Sequence, residues 1–381
     1  MRMLLLTLTL ALTAPIVAFT IPDLNKNDSQ CSQIQIPVTI FERRSILNMT
    51  VKDNWDAASL TFNLTARNFG TPDNPLPIAG ETSSAAESNY TIGATLCGTG
   101  RTMIVTTHGI IESKSYFQPN LANSSRYNFV NAALAAGYSV LNYDRIGVGS
   151  SSSSRSASSA HSHSHTSSNI RHTYCFPMMA DIEYRIDPYT DAQFQVKVAA
   201  LNSLVAYARE TAGADKVILV GHSYGAYIST QSAAILGSSV DGLVLTGFSG
   251  TLEYFGPFGA GIGFRVASAQ RPERWGHLDA GYLTSSDPFA ETFAYFASPY
   301  FEHRVAEWSY NVGSEPFAVA ELPTLLATKI GYGNVTAPVL VLQGKYDTSA
   351  CGGNCVGVLD GLCANFTAAA DLRTVDDLPA G

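Results

Sequence analysis

The sequence is short of charge. Only 14% of its 381 residues are Asp, Glu, Lys or Arg, and they sum to −8. No Lys/Arg-rich stripe occurs, so a basic nucleic-acid surface is excluded. Beyond the first residues, no stretch is apolar and long enough to span a bilayer. The six cysteines show neither paired CxxC nor Cys/His spacing, which argues against a zinc site. No histidine stands after His303. What is present is a 46% apolar composition, enough for a packed globular body.

The opening "MRMLLLTLTLALTAPIVAF" reads as a signal peptide over residues 1–18. Arg2 supplies the positive start, Leu4 to Ala14 the short apolar core, and Ala18 the small cleavage-site residue. A secreted, extracellular protein is therefore expected. Two features agree. Cys31, Cys97, Cys175, Cys351, Cys355 and Cys363 would mostly pair in an oxidising compartment, with connectivity left open. Glycosylation sequons recur at Asn27, Asn48, Asn63, Asn89, Asn123, Asn334 and Asn365.

After the leader, "SQIQIPVTIF" and "ASLTFNLTARN" alternate apolar and polar residues and predict early antiparallel strands. Then buried runs alternate with helical patterns. The runs are "TMIVTTHG", "YSVLNYD", "KVILVG", "DGLVLTG" and "PVLVLQG". The helices are "YNFVNAALAAG", "DAQFQVKVAALNSLVAYARE" and "YGAYISTQSAAILG". This order predicts an α/β fold with a mostly parallel central sheet and helices on both faces. Two segments interrupt it. Residues 150–185 are Ser/His-rich and aperiodic, an inserted loop. Its "HSHSH" run, His161, His163 and His165, reads as solvated low-complexity chain rather than a metal site. Residues 251–336 are helical in places and rich in aromatics such as Phe258, Phe264, Trp275 and Trp308. They are too long for a crossover and predict a cap over the sheet's C-terminal edge.

The chemistry centres on "VGHSYGA". G-x-S-x-G alone is weak, but here it follows a buried run and opens a helix. A sharp strand-to-helix turn would thrust the Ser223 hydroxyl out at the sheet edge, with Gly221 and Gly225 permitting the tight packing. An oxyanion formed on attack needs two donors. The N–H of Tyr224 is one, and "TTHGII" offers the N–H of Ile110 as the other. His108, in the same loop, is read as ordering the loop rather than as the base.

Together, "THGI", "NYDRIGVGS", "VGHSYGA" and "VLVLQGKYD" resemble the α/β-hydrolase superfamily, in its capped esterase and lipase-like branch. The resemblance spans roughly residues 100 to 381. It implies a Ser–acid–His triad in that order, no cofactor and no metal. Asp347, just past "PVLVLQG", stands where the family most often places the acid. Asp144 and Arg145 match a loop that is normally structural. The family's histidine follows the last strand, here "LRTVDDL", yet none follows Asp347. The expectation is a chain ending before its triad histidine, with a pseudoenzyme as the alternative. A disulfide is expected within "CGGNC" or from it to another segment.

These readings converge on a secreted serine hydrolase for a hydrophobic carboxylic ester or lactone, inactive if the base is absent. The alternatives are a peptidase of the same superfamily and a catalytically dead binding protein. The expected partner is a small-molecule substrate, with no nucleic acid and no membrane span. The sequence leaves oligomeric state open.

Overall fold

The computed structural model describes residues 30–66, 68–121, 125–153, 186–297 and 299–379. The leader, the HSHSH run, Cys175 and most of the 150–185 segment lie outside the described residues.

Eight strands form the main path of the central sheet. They are β1 (Cys31–Glu42), β2 (Ala86–Cys97), β3 (Thr102–Thr107), β4 (Ser139–Tyr143), β5 (Lys216–His222), β6 (Gly242–Thr246), β7 (Val339–Gly344) and β8 (Leu372–Leu378). Their spatial order is β1-β2-β4-β3-β5-β6-β7-β8. The first two pair antiparallel, and β2 meets β4 antiparallel. From β4 to β8 every pairing is parallel. The parallel strands are short and dense in Val, Leu and Ile because both faces are covered. Val105, Leu141, Leu219, Leu245 and Val341 are fully buried. A disulfide joins Cys31 to Cys97, directly opposed in the β1–β2 register.

The helices that matter for the site are α1 (Asn54–Thr65), α2 (Phe129–Ala135), α3 (Phe194–Glu210) and α4 (Tyr224–Leu236). The expected early strand "ASLTFNLTARN" is the one element of the wrong type, since Ala58 to Thr65 belong to α1. Asp53 caps this helix by accepting from the N–H groups of Trp55 and Asp56. Ala57, Leu60, Thr61 and Leu64 are buried, a spacing of three and four that outweighs the apparent alternation.

Between β6 and β7 the chain leaves the sheet. This excursion carries α5 (Phe255–Ile262), α6 (Pro288–Tyr295), α7 (His303–Trp308) and α8 (Glu321–Ala327). It also holds a small antiparallel sheet of Arg265–Val266, Tyr282–Thr284 and Phe317–Ala318. Phe258, Phe264, Trp275 and Phe317 fill its interior. Among the described residues no helix is long and apolar enough to cross a membrane.

Candidate active site

Ser223 sits between the end of β5 and the first residue of α4, with φ 52° and ψ −121°. A non-glycine residue rarely adopts such backbone, which costs on the order of 1–3 kcal/mol. Its amide is pinned by donation to Thr246 O at 2.9 Å. The turn closes only because its glycines have no side chain. A Cβ on Gly225 would lie 2.2 Å from Thr107 O, and one on Gly221 would lie 2.5 Å from Gly225 O. Facing Ser223 is the loop after β3. A Cβ on Gly109 would lie 3.0 Å from the Ser223 Cβ and 3.1 Å from Glu112 Oε2. The other non-glycine residue with positive φ among the described residues is Ile111, at 57°, in this same loop. Both strained positions thus flank one spot at the C-terminal edge of the sheet.

That spot opens into a cavity of about 500 Å3 whose walls include Ser223, Asp347, His222 and Glu112. The excursion forms its roof, with Tyr295, Phe296, Phe301 and Trp308 among the lining side chains. Asp347 follows β7 and is oriented by three donors. Its Oδ1 accepts from Ser349 Oγ at 2.9 Å and Ala350 N at 2.7 Å, and its Oδ2 accepts from Gln343 Nε2 at 2.9 Å. Gln343 is itself held by the Phe248 N–H at 2.6 Å. The short loop beyond Asp347 is closed by the Cys351–Cys355 disulfide, while Cys363 is exposed and has no disulfide partner among the described residues.

Tyr224 begins α4, so no carbonyl of that helix takes its N–H. Ile110 is buried, and its carbonyl accepts from Tyr295 Oη at 2.9 Å. His108 is buried behind the loop. Its Nε2 accepts from the Arg145 N–H at 3.1 Å, which puts the ring proton on Nδ1, 3.0 Å from Gly109 O. Burial, then the Arg145 charge, holds its pKa well below the ordinary histidine value. A neutral ring with both nitrogens engaged orders the loop and is a poor proton acceptor. Asp144 is equally occupied, accepting from Lys114 N, Lys114 Nζ and Ser150. Arg145 is fully buried and paired with Glu321.

Residues 104–380 of the chain match the alpha/beta hydrolase family. The chain belongs to that family. Solved structures similar to it include the thermostable carboxyl esterase of Bacillus coagulans, at 15% identity over 76% of this chain and 86% of that one, with a TM-score of 0.48. Another is the enol-lactonase of Burkholderia xenovorans LB400, at 17% identity over 77% and 89%, with a TM-score of 0.46. A third is the monoacylglycerol lipase of Paleococcus ferrophilus, at 17% identity over 76% and 89%, with a TM-score of 0.44. No curated protein sequence matches the chain.

Within this alpha/beta hydrolase, two polar residues of the cavity went unread in the sequence. His222 is the cavity's histidine among the described residues. Its Nδ1 lies 2.9 Å from Thr246 Oγ1, its Nε2 lies 3.4 Å from Glu112 Oε1, and its ring stacks on Tyr116 at 4.4 Å. Burial opposes protonation of this ring, but the Glu112 carboxylate, helped by Asp347, outweighs it and raises the pKa. Glu112 also accepts from the Gly109 N–H at 2.7 Å, so it braces the loop. The position of Glu112, three residues past Gly109, was the only available signal. Among the described residues no cluster of metal-ligating side chains occurs.

Proposed function

We propose that the protein is a serine hydrolase that cleaves a hydrophobic carboxylic ester or lactone through an acyl-enzyme on Ser223. The observation that carries this reading is the strained Ser223 at the mouth of α4, sharing one cavity with Asp347 and facing the Gly109–Ile110 loop. In this scheme Ser223 Oγ bonds to the substrate carbonyl carbon, and the carbonyl π pair moves to oxygen. The N–H groups of Tyr224 and Ile110 stabilise that oxyanion. The Ser223 hydroxyl proton passes to a base and from it to the departing alcohol as the C–O bond breaks, and water, deprotonated by the same base, then releases the acid and restores the Ser223 hydroxyl. Asp347 would orient the base that takes the Ser223 proton, although among the described residues no histidine hydrogen-bonds to it. The aromatic walls support an apolar acyl or alcohol group. An ester is favoured over a peptide amine because the carboxylates lining the cavity are already engaged, Glu112 by Gly109 and His222, Asp347 by Gln343, Ser349 and Ala350, and Glu302 by Arg126 and Arg304. The disulfides Cys31–Cys97 and Cys351–Cys355 support an oxidising, extracellular setting.

A second reading, a binding protein on the same scaffold, is favoured by one observation. His222 is engaged by Thr246 and Glu112 rather than standing free beside Ser223. A panel of acyl esters and aminoacyl amides, tested against wild type and Ser223→Ala, separates these readings. The hydrolase reading expects ester turnover that falls at least about 10^3-fold in Ser223→Ala. Amide preference supports a peptidase. Binding of esters without turnover supports the scaffold reading.

A further inference from the structure

Behind the candidate site lies a buried charged cluster that the scheme above does not use. Arg145, from the loop after β4, pairs with Glu321 at the start of α8. Lys197 of α3 places its Nζ 2.6 Å from the other oxygen of Glu321. All three side chains are essentially inaccessible, at 0–1% exposure. Burying three charges is costly, and two cations share one carboxylate. The fork of Arg145 has a second contact: its Nη2 donates to Gly109 O at 2.9 Å. His108 Nδ1 lies 3.0 Å from the same oxygen.

Gly109 O and the Ile110 N–H belong to one peptide unit. In a trans peptide they point in opposite directions. Two donors drawing the carbonyl into the protein therefore turn the N–H outward, towards the side where Gly109 meets Ser223. The guanidinium charge also polarises the peptide and makes its N–H a stronger donor. The same guanidinium lies 4.8 Å from the ring centre of Tyr224, the residue whose N–H is the other donor. We infer that Arg145, fixed by Glu321, is a positioning residue that aims and polarises the Ile110 N–H as an oxyanion donor. This rests on the hydrolase reading, and it gives the buried cluster a role in the chemical step rather than in folding alone.

The two-to-one charge count supplies the test. Arg145→Met leaves Glu321 paired with Lys197, and Lys197→Met leaves it paired with Arg145, so each variant keeps a neutral buried pair. Only the first loses the Gly109 contact. Arg145→Met should lower kcat about 10^2-fold, the scale of a misaimed donor, with KM moved less than about threefold. Its affinity for a trifluoromethyl ketone, which forms an oxyanion on Ser223, should fall by a similar factor. Lys197→Met should stay within about threefold of wild type on each measure. If Arg145→Met does not fold, Arg145→Lys keeps the Glu321 pair, gives up the fork and carries the same expectation. Equal losses in the Arg145 and Lys197 variants, or an unchanged Arg145 variant, overturn the assignment while Ser223-dependent turnover leaves the hydrolase reading standing. Wild-type turnover that survives Ser223→Ala overturns both.

Discussion

Two helices of the excursion, α8 against the core behind Ser223 and α6 in the roof, each bury a carboxylate and satisfy it by different means. Glu321, under the loop of Gly109, is met by two cations. Burial alone would raise its pKa, but Arg145 first and Lys197 next outweigh burial and hold it below the usual range. Glu291, in α6 of the excursion, meets only hydroxyls. It accepts from Ser285 Oγ at 2.9 Å, Ser309 Oγ at 3.0 Å and Ser314 Oγ at 2.6 Å. There burial wins and its pKa is raised. At α8 charge holds the carboxylate ionised, whereas α6 shelters one whose protonation burial favours. Fixed charge lies next to the Gly109 loop, and neutral hydrogen bonds hold part of the roof.

Replacing the anion in each region should break this comparison most sharply. Glu321→Gln removes the anion that Arg145 and Lys197 share and should cost about 3–5 kcal/mol of stability. Glu291→Gln keeps a side chain that can still accept from its serines and should cost about 1–2 kcal/mol. Urea denaturation at pH 7 measures both. Similar losses would mean that the charges around Glu321 matter no more than the hydroxyls around Glu291.

A smaller effect sharpens the contrast through pH. Burial, then Arg145, lowers the Lys197 pKa from 10.5 to about 7. Between those values the unfolded chain binds the extra proton. Lys197 therefore makes stability rise with pH across that window and fall as pH drops towards 7, with a slope of at most about 1.4 kcal/mol per pH unit. Glu291 has the opposite sign. Its raised pKa lets the folded chain hold the extra proton from 4.5 upward, so its contribution weakens as pH climbs through that range. Subtracting the pH profile of Lys197→Met from that of wild type should leave a rising difference between pH 7 and 9.5. The same subtraction for Glu291→Gln should leave a falling one above pH 4.5. Two differences of the same sign would show that the regions are not distinct in this way.

Much of the frame could be read from residues alone, because short Val/Leu runs alternating with helical patterns leave few other packings. The turn at Ser223 was legible because Gly221 and Gly225 sit where a side chain would collide with backbone. That Asp347 would stand at the same edge as Ser223 was legible from its place after β7. The buried cluster was not. Lys197 lies in "FQVKVAAL", where a lysine looks like part of a solvated face, and its partner is a distant residue of α8. Nothing local marks Lys197 as 1% exposed. Helix α1 was misread for a related reason. Phe62 and Leu64 alternate with polar neighbours, but Phe62 is exposed, and the buried set follows the helical period instead. His222 and Glu112 were overlooked because their meeting depends on how the loop after β3 folds back over β5.

The most direct test of the account is labelling by a fluorophosphonate, read by mass spectrometry of the digested protein. The account predicts one phosphonylated residue, Ser223, and no label in Ser223→Ala. A folded wild-type protein that takes no label, or takes it at another serine, would contradict it.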